Sequence, residues 1–230
     1  MDILTIFLGV LLVVIIFYFT FNSGEQELSK KLDLGQPQTN ISGKSLDQPA
    51  SAKYSYEMWL YVYQYESSGE KYIISRKGST DTTKNIGIKI GGNGQPQLKL
   101  EYESAANATN ATNATNVVIT NNLPLQTWVH LIVSVDGYFV DVYMNGKLVK
   151  SFQDSSIKAP QGETVDIEYG DAKCYLAKLT RTTKATDPQT AWNKYMAGNG
   201  ENPFAKMMSS FGLTMTLQKN NQDYSKITLF

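Results

Sequence analysis

Few residues in this chain have the type and spacing to carry out chemistry. There is one histidine, His130, and one cysteine, Cys174. A Ser-His-Asp or Cys-His nucleophile would therefore need His130 as its base. That residue lies inside the alternating run Trp128 to Val135, opposite Val129, Leu131, Val133 and Val135, so a packed, hydrogen-bonded imidazole is expected. Cys174 leads an apolar run with Leu176 and Leu179, the setting of a buried and inert thiol. A single cysteine also excludes an internal disulfide framework and any multi-cysteine zinc site. Retaining glycoside hydrolysis needs two carboxylates ~5–5.5 Å apart. The nearest set is Glu163, Asp166 and Glu168. Alternate residues of a strand share a face, so Asp166 and Glu168 point together while Glu163 points away. Asp81, Asn85, Asp166 and Asp171 have calcium-ligand chemistry without the D-x-[DN]-x-[DN]-G spacing. Gly91, Gly92 and Gly94 lack the Lys-Ser/Thr and the strand-to-helix flanks of a phosphate loop, so they are expected to turn a hairpin. The expectation is a protein that is no enzyme and uses neither cofactor nor metal.

Other residues have the chemistry of binding. Trp59, Tyr61 and Tyr63 fall on one face of a strand and offer rings for stacking on a glycan or a protein neighbour. Packing inside a two-sheet stack is the competing role for the same rings. Four sequons mark candidate N-glycosylation at Asn40, Asn107, Asn110 and Asn113. The last three lie in the repeat NATNATNATN, which reads equally as a flexible polar loop tip lengthened by repetition. With 21 basic against 21 acidic residues and no basic run among aromatics, nucleic acid is excluded as a partner.

The elements that position these residues are strands. Trp128 to Val135 and Tyr138 to Met144 alternate around Asp136-Gly137, and Asn145-Gly146 then supplies the φ > 0 pair of a type I′ turn before Lys147 to Phe152. This is an antiparallel meander. Tyr54 to Val62 alternates with apolar groups on both faces, as a strand in the middle of a stack does. Shorter runs follow at Tyr72 to Ser75, Ile86 to Ile90, Leu98 to Tyr102 and Val117 to Thr120. Cys174 to Thr182 closes the series. Asp187-Pro188 opens a short helix as N-cap and N1, carrying Ala191, Trp192 and Tyr195. Leu213 to Leu217 and Tyr224 to Phe230 form a terminal hairpin.

The order Trp128-x-His130, Asp136-Gly137, Tyr143-x-Asn145-Gly146-Lys147 resembles the laminin-G-like, concanavalin-type jelly rolls. The resemblance covers roughly Tyr54 to Ala197. It implies a mainly β fold of two curved antiparallel sheets, used mostly to bind glycans or proteins and sometimes to cleave polysaccharide. The cleaving members carry Glu-x-Asp-x-Glu on one strand, and the displaced Glu163 departs from that pattern.

Ahead of the sandwich, Ile3 to Phe21 is uncharged and apolar. As a helix it would be ~28 Å long, matching a hydrocarbon core of ~30 Å. Asp2 in place of a basic n-region, the length of the run and the lack of an A-x-A-like site argue for a retained transmembrane anchor over a signal peptide. Ile3, Phe7, Leu11, Ile15 and Phe19 are its lipid-facing candidates. Lys30 and Lys31 would hold the large domain on the cytoplasmic side, whereas the sequons would place it opposite. The expected organisation is an anchor at 1–22, a polar tether at 23–53 with a short helical turn near Glu25 to Leu32, a sandwich at 54–182, and a helix and hairpin at 183–230. A tether of that length spans ~100 Å fully extended, enough to hold the domain well clear of the bilayer. The layout resembles membrane-anchored minor capsid proteins of large double-stranded DNA viruses of algae and protists. It implies a single-pass protein at the interface of virion inner membrane and shell. The expected partners are the lipid bilayer and other capsid or membrane proteins. A membrane-tethered lectin-like module is the alternative, and a polysaccharide hydrolase a remoter one.

Overall fold

The computed structural model describes residues 9, 11–14, 24–80, 83–92, 94–105 and 114–199, together with the backbone of 214–219 and 222–228. Alternation along the chain is resolved as two antiparallel sheets facing one another. The first has six strands in the order β1 (Glu25–Asp33), β11 (Cys174–Thr182), β2 (Lys53–Val62), β7 (Trp128–Asp136), β8 (Phe139–Met144) and β9 (Lys147–Gln153). The second runs β10 (Ile167–Tyr169), β3 (Glu70–Lys77), β4 (Lys84–Gly91), β5 (Leu98–Glu103) and β6 (Ala114–Thr120). The inward residues of both sheets make one core, including Tyr56, Met58 and Leu60 from β2, Leu131 and Val133 from β7, and Ile86, Ile88 and Leu100 opposite. Such apolar burial is the main stabilising term. The meander forms as its turn residues dictate, with Asn145 at φ 49° and Gly146 at φ 73°. The Asn145 side chain accepts a hydrogen bond from the His130 amide at 2.9 Å and ties the turn back to β7.

The stretch expected to be a tether is part of the sandwich. Glu25–Asp33 is strand rather than helical turn, and it pairs along β11 from Glu25↔Thr182 to Asp33↔Tyr175 with one bulge. Leu28 and Leu32 pack on the core, and Leu34 and Leu46 are buried in it. The strand covers an edge of β11 that would otherwise be unpaired. Residues 35–52 are also fastened down. Ile41 bridges Ile167, and two buried arginines donate to carbonyls in this segment: Arg76 to Pro49 at 2.6 Å, and Arg181 to Asp47 and Gln48. The sandwich thus begins at Gly24, and the ~100 Å reach disappears.

Helix α1 (Pro188–Met196) starts as its sequence dictates. The Asp187 carboxylate accepts from the Thr190 amide at 3.0 Å, and Pro188 occupies the first turn. The terminal hairpin is present as β12 (Thr214–Lys219) and β13 (Gln222–Thr228), paired with each other. At the amino terminus, Leu11–Val14 are helical and exposed. Ile3, Phe7, Ile15 and Phe19 lie outside the described residues, among which no helix is long and apolar enough to cross a membrane.

Candidate functional site

The outward face of the six-stranded sheet is built by the odd-numbered residues of β2 and their cross-strand partners. Helix α1 covers one half of it. Beneath the helix, Glu57 gathers the His130 imidazole (Nε2 to Oε1, 3.2 Å), the Lys194 ammonium (2.5 Å), Lys178 (3.6 Å) and the Thr180 hydroxyl (3.3 Å). Burial would raise the Glu57 carboxyl, but the His130 hydrogen bond and the two lysines outweigh it and hold it at about 2. Lys194 comes from α1 and also pairs with Glu25 of β1 at 3.1 Å, so the cluster fastens the helix to the sheet. His130 is fully buried, as the sequence indicated, with Nε2 on Glu57.

Trp59 is not available to a ligand. It is 7% exposed, stacked under Tyr195 at 5.8 Å and 20°, with His130 at 4.9 Å. The helix therefore corrects the expectation that Trp59, Tyr61 and Tyr63 form one contact surface. Tyr61 and Tyr63 lie beyond the end of α1 and are half-exposed.

In the uncovered half, strand register makes an aromatic row. Tyr61 of β2 sits directly opposite Trp128 of β7 on one side and Tyr175 of β11 on the other. Ring centroids are 5.5 Å apart for Tyr61–Trp128, 6.1 Å for Tyr61–Tyr175 and 4.9 Å for Tyr175–Tyr63. Successive ring planes are inclined to one another by 56°, 33° and 43°. Polar groups continue it. The Tyr63 hydroxyl donates to Asp33 at 3.1 Å. It also lies where a Cβ on Gly35 would come within 2.1 Å, so a side chain at position 35 would push the Tyr63 hydroxyl aside. Gly35 in turn lines an open groove of about 520 Å³ with Gln36, Gln38, Tyr169, Asp171 and Lys173. Aromatic faces beside a cleft with converging amide, carboxylate and ammonium groups can hold a ligand that is apolar on one side and hydroxylated on its edge. Trp128 and Tyr175 were absent from the sequence-based contact set. Only the register of strands far apart in sequence brings them beside Tyr61.

The remaining candidates are separated from this row. Asp166 and Glu168 do share a groove, of about 470 Å³, with Asn40, Lys77 and Ser79. Asp166 accepts from the Gly43 amide at 2.8 Å, and Glu168 pairs with Lys84 at 2.8 Å and Lys77 at 3.6 Å. Glu163 is exposed and outside that groove's lining. Burial, with nearby Asp33, pushes the Cys174 thiol up to about 12. Among the described residues no group of three or more His, Cys, Asp or Glu side chains is placed to hold a metal ion. Gly94 takes φ 83° in the connection between the antiparallel neighbours β4 and β5, which is a hairpin. Asn40 is exposed, and Asn107, Asn110 and Asn113 lie outside the described residues.

Fold and site together define a β-sandwich with a half-exposed aromatic face. Residues 35–174 match the concanavalin A-like lectin/glucanases superfamily in its laminin-G form, and the chain belongs to that family. Comparison with curated proteins gave no match. Among solved structures, the chain is similar to the receptor binding domain of the botulinum neurotoxin C/D mosaic serotype (12% identity over 65% of this chain and 37% of that one, TM-score 0.51). It is also similar to the binding domain of Paraclostridial Mosquitocidal Protein 1 (8%, 76% and 48%, 0.51). A third is the ligand binding domain of botulinum neurotoxin serotype D, solved with N-acetylneuraminic acid (10%, 76% and 42%, 0.50). The chain spans less than half the length of these structures, and at such identity the likeness is one of fold.

Proposed function

We propose that this chain is a non-enzymatic, lectin-like binding module held at a membrane by its apolar amino-terminal segment, with a carbohydrate as ligand. The observation that carries the reading is the Trp128–Tyr61–Tyr175–Tyr63 row, whose tilted rings run into the polar groove at Gly35. Pyranose rings offer C–H faces to aromatic side chains and hydroxyls to their rim, which is the combination this surface complements. Binding rather than cleavage is favoured because Asp166 and Glu168 are already engaged by an amide and two lysines. The similar toxin domain solved with N-acetylneuraminic acid, and another solved with rat synaptotagmin II, make glycan and protein ligands both compatible with the architecture. The uncharged run Ile3–Phe21, with its exposed helical Leu11–Val14, supports the membrane attachment.

The test is a glycan array probed with the full chain in nanodiscs. Binding to a defined sugar class, competed by the free sugar, is expected, and a blank array overturns the carbohydrate reading. A protein neighbour on the same row is the second reading, motivated by the virion-like layout of anchor, sandwich and terminal hairpin. Recovery of the chain in purified particles would favour it, and absence from them removes it.

A further inference from the structure

The end of the sandwich remote from the aromatic row carries another exposed pair of rings. Tyr138 and Phe139, 52% and 53% exposed, stand at the β7–β8 turn, where Gly137 takes φ 62°. Strand register locates this turn relative to the entry of the chain. Glu25, the first residue of β1, lies on the rung Glu25–Thr182–Ser55–Ser134–Asp141, and Phe139 is two residues from Asp141 along β8. The Gly24 carbonyl accepts from the Thr183 amide at 3.2 Å, which fixes the entry at this level. The chain therefore enters the sandwich at the end that carries Tyr138 and Phe139. Four strand spacings separate β1 from β8, about 19 Å at ~4.8 Å each. The aromatic row lies at the other end of β7, since Trp128 and Asp136 are its two termini, about 27 Å apart at ~3.4 Å per residue.

Covalent geometry makes this placement consequential. The apolar run ends at Phe21, and three residues later Gly24 is part of the fold. Three residues span at most about 10 Å. A bilayer that holds Ile3–Phe21 must then lie within that distance of the Gly24 end of the sandwich. Tyrosine favours the membrane–water interface, where its apolar body and polar tip are both satisfied, and the phenylalanine ring beside it gains from leaving water. The exposed Lys184 at the same end is suited to a lipid phosphate, and the Asp136 charge is neutralised by Lys53 at 2.8 Å.

We infer that the Tyr138–Phe139 turn is a second membrane contact, seated in the headgroup region of the bilayer that holds the amino-terminal segment. It rests on the anchored reading given above. Two contacts about 19 Å apart stop the sandwich from swivelling on its short connection, and they direct the aromatic row away from the lipid.

The test uses the full chain reconstituted in vesicles of phosphatidylcholine with a minor share of phosphatidylserine. Phe139→Cys is labelled with an environment-sensitive fluorophore, Cys174 being buried, and headgroup spin-labelled lipid in both leaflets serves as quencher. The expected result is several-fold stronger quenching at position 139 than at Leu125→Cys on the opposite end. Tyr138→Cys, which leaves Phe139 in place, should report the same. Equal, weak quenching at all three sites in chains that float with the vesicles overturns the turn contact and leaves the anchor standing. Failure to float overturns the anchor and the turn contact together.

Discussion

Replacing Glu57 by glutamine removes the charge around which the covered half of the sheet is assembled, and the size of the effect follows from the carboxyl's own titration. Its folded value of about 2, against an ordinary 4.5, corresponds to about 3 kcal/mol at ~1.4 kcal/mol per pH unit. Breaking a buried ion pair on one side typically costs about 3–5 kcal/mol, because the partner is left charged and unpaired. Here the chief partner is Lys194 on α1, 2.5 Å away; it keeps its 3.1 Å pair with Glu25, so the lower end of that range applies. The sign is that of a depressed carboxyl: its contribution is complete above the unfolded value near 4.5 and fades as pH falls toward 2. Glu57→Gln should thus lower stability by about 3 kcal/mol at pH 7, or roughly 6–12 °C in Tm for a domain of this size. The gap should close between pH 4.5 and 2. Thermal unfolding followed by tryptophan fluorescence reads this directly, because Trp59 and Trp192 both pack against Tyr195 of α1. Equal stability of the two proteins at pH 7, or a gap that persists unchanged at pH 2, would refute the assignment of Glu57 as the charge that holds the helix down.

Two further outcomes follow from the same packing. A chain beginning at Tyr54 lacks β1 and the buried Leu34 and Leu46, and it leaves the Arg76 and Arg181 guanidiniums without the Pro49, Asp47 and Gln48 carbonyls. It should be insoluble or should lose its cooperative unfolding transition, which calorimetry detects, whereas a chain beginning at Gly24 should keep both. The Cys174 thiol, buried and raised to about 12, should stay unreactive toward maleimide at pH 7 in the native state and react within minutes in denaturant.

The parts of this fold that were legible in the sequence are those specified by neighbouring residues. Asn145-Gly146 encodes its own turn, and Asp187-Pro188 its own helix start, so the meander and α1 could be placed without tertiary information. Strand β1 was not legible because it is an edge strand. Leu28, Leu32 and Leu34 lie among Glu25, Glu27, Lys30, Lys31 and Asp33, and that dilution gives the composition of a linker. What makes it a strand is the open edge of β11, some 150 residues away. The double-sided apolar pattern of β2 was visible, and its inner side packs against the facing sheet as a strand in a stack does. The outer side of Trp59 is covered by α1 rather than by a ligand. The aromatic row itself was half legible. Tyr61 and Tyr63 share a face by simple alternation, whereas Trp128 and Tyr175 join them only once the register of three strands is known. The clamp made by Arg76 and Arg181 left no periodic trace, since each arginine interrupts an otherwise ordinary strand pattern.

The central claim is that the uncovered aromatic row binds a sugar. It is tested most directly by titrating the leading sugar from the array against the full chain by calorimetry, with Trp128→Ala and Trp192→Ala as the paired variants. Both remove a partly exposed indole, but only Trp128 belongs to the row. Truncating an aromatic anchor typically costs about 2 kcal/mol or more, so Trp128→Ala should weaken binding at least about tenfold, while Trp192→Ala leaves it unchanged. Equal affinity of Trp128→Ala and the unaltered chain would contradict the account.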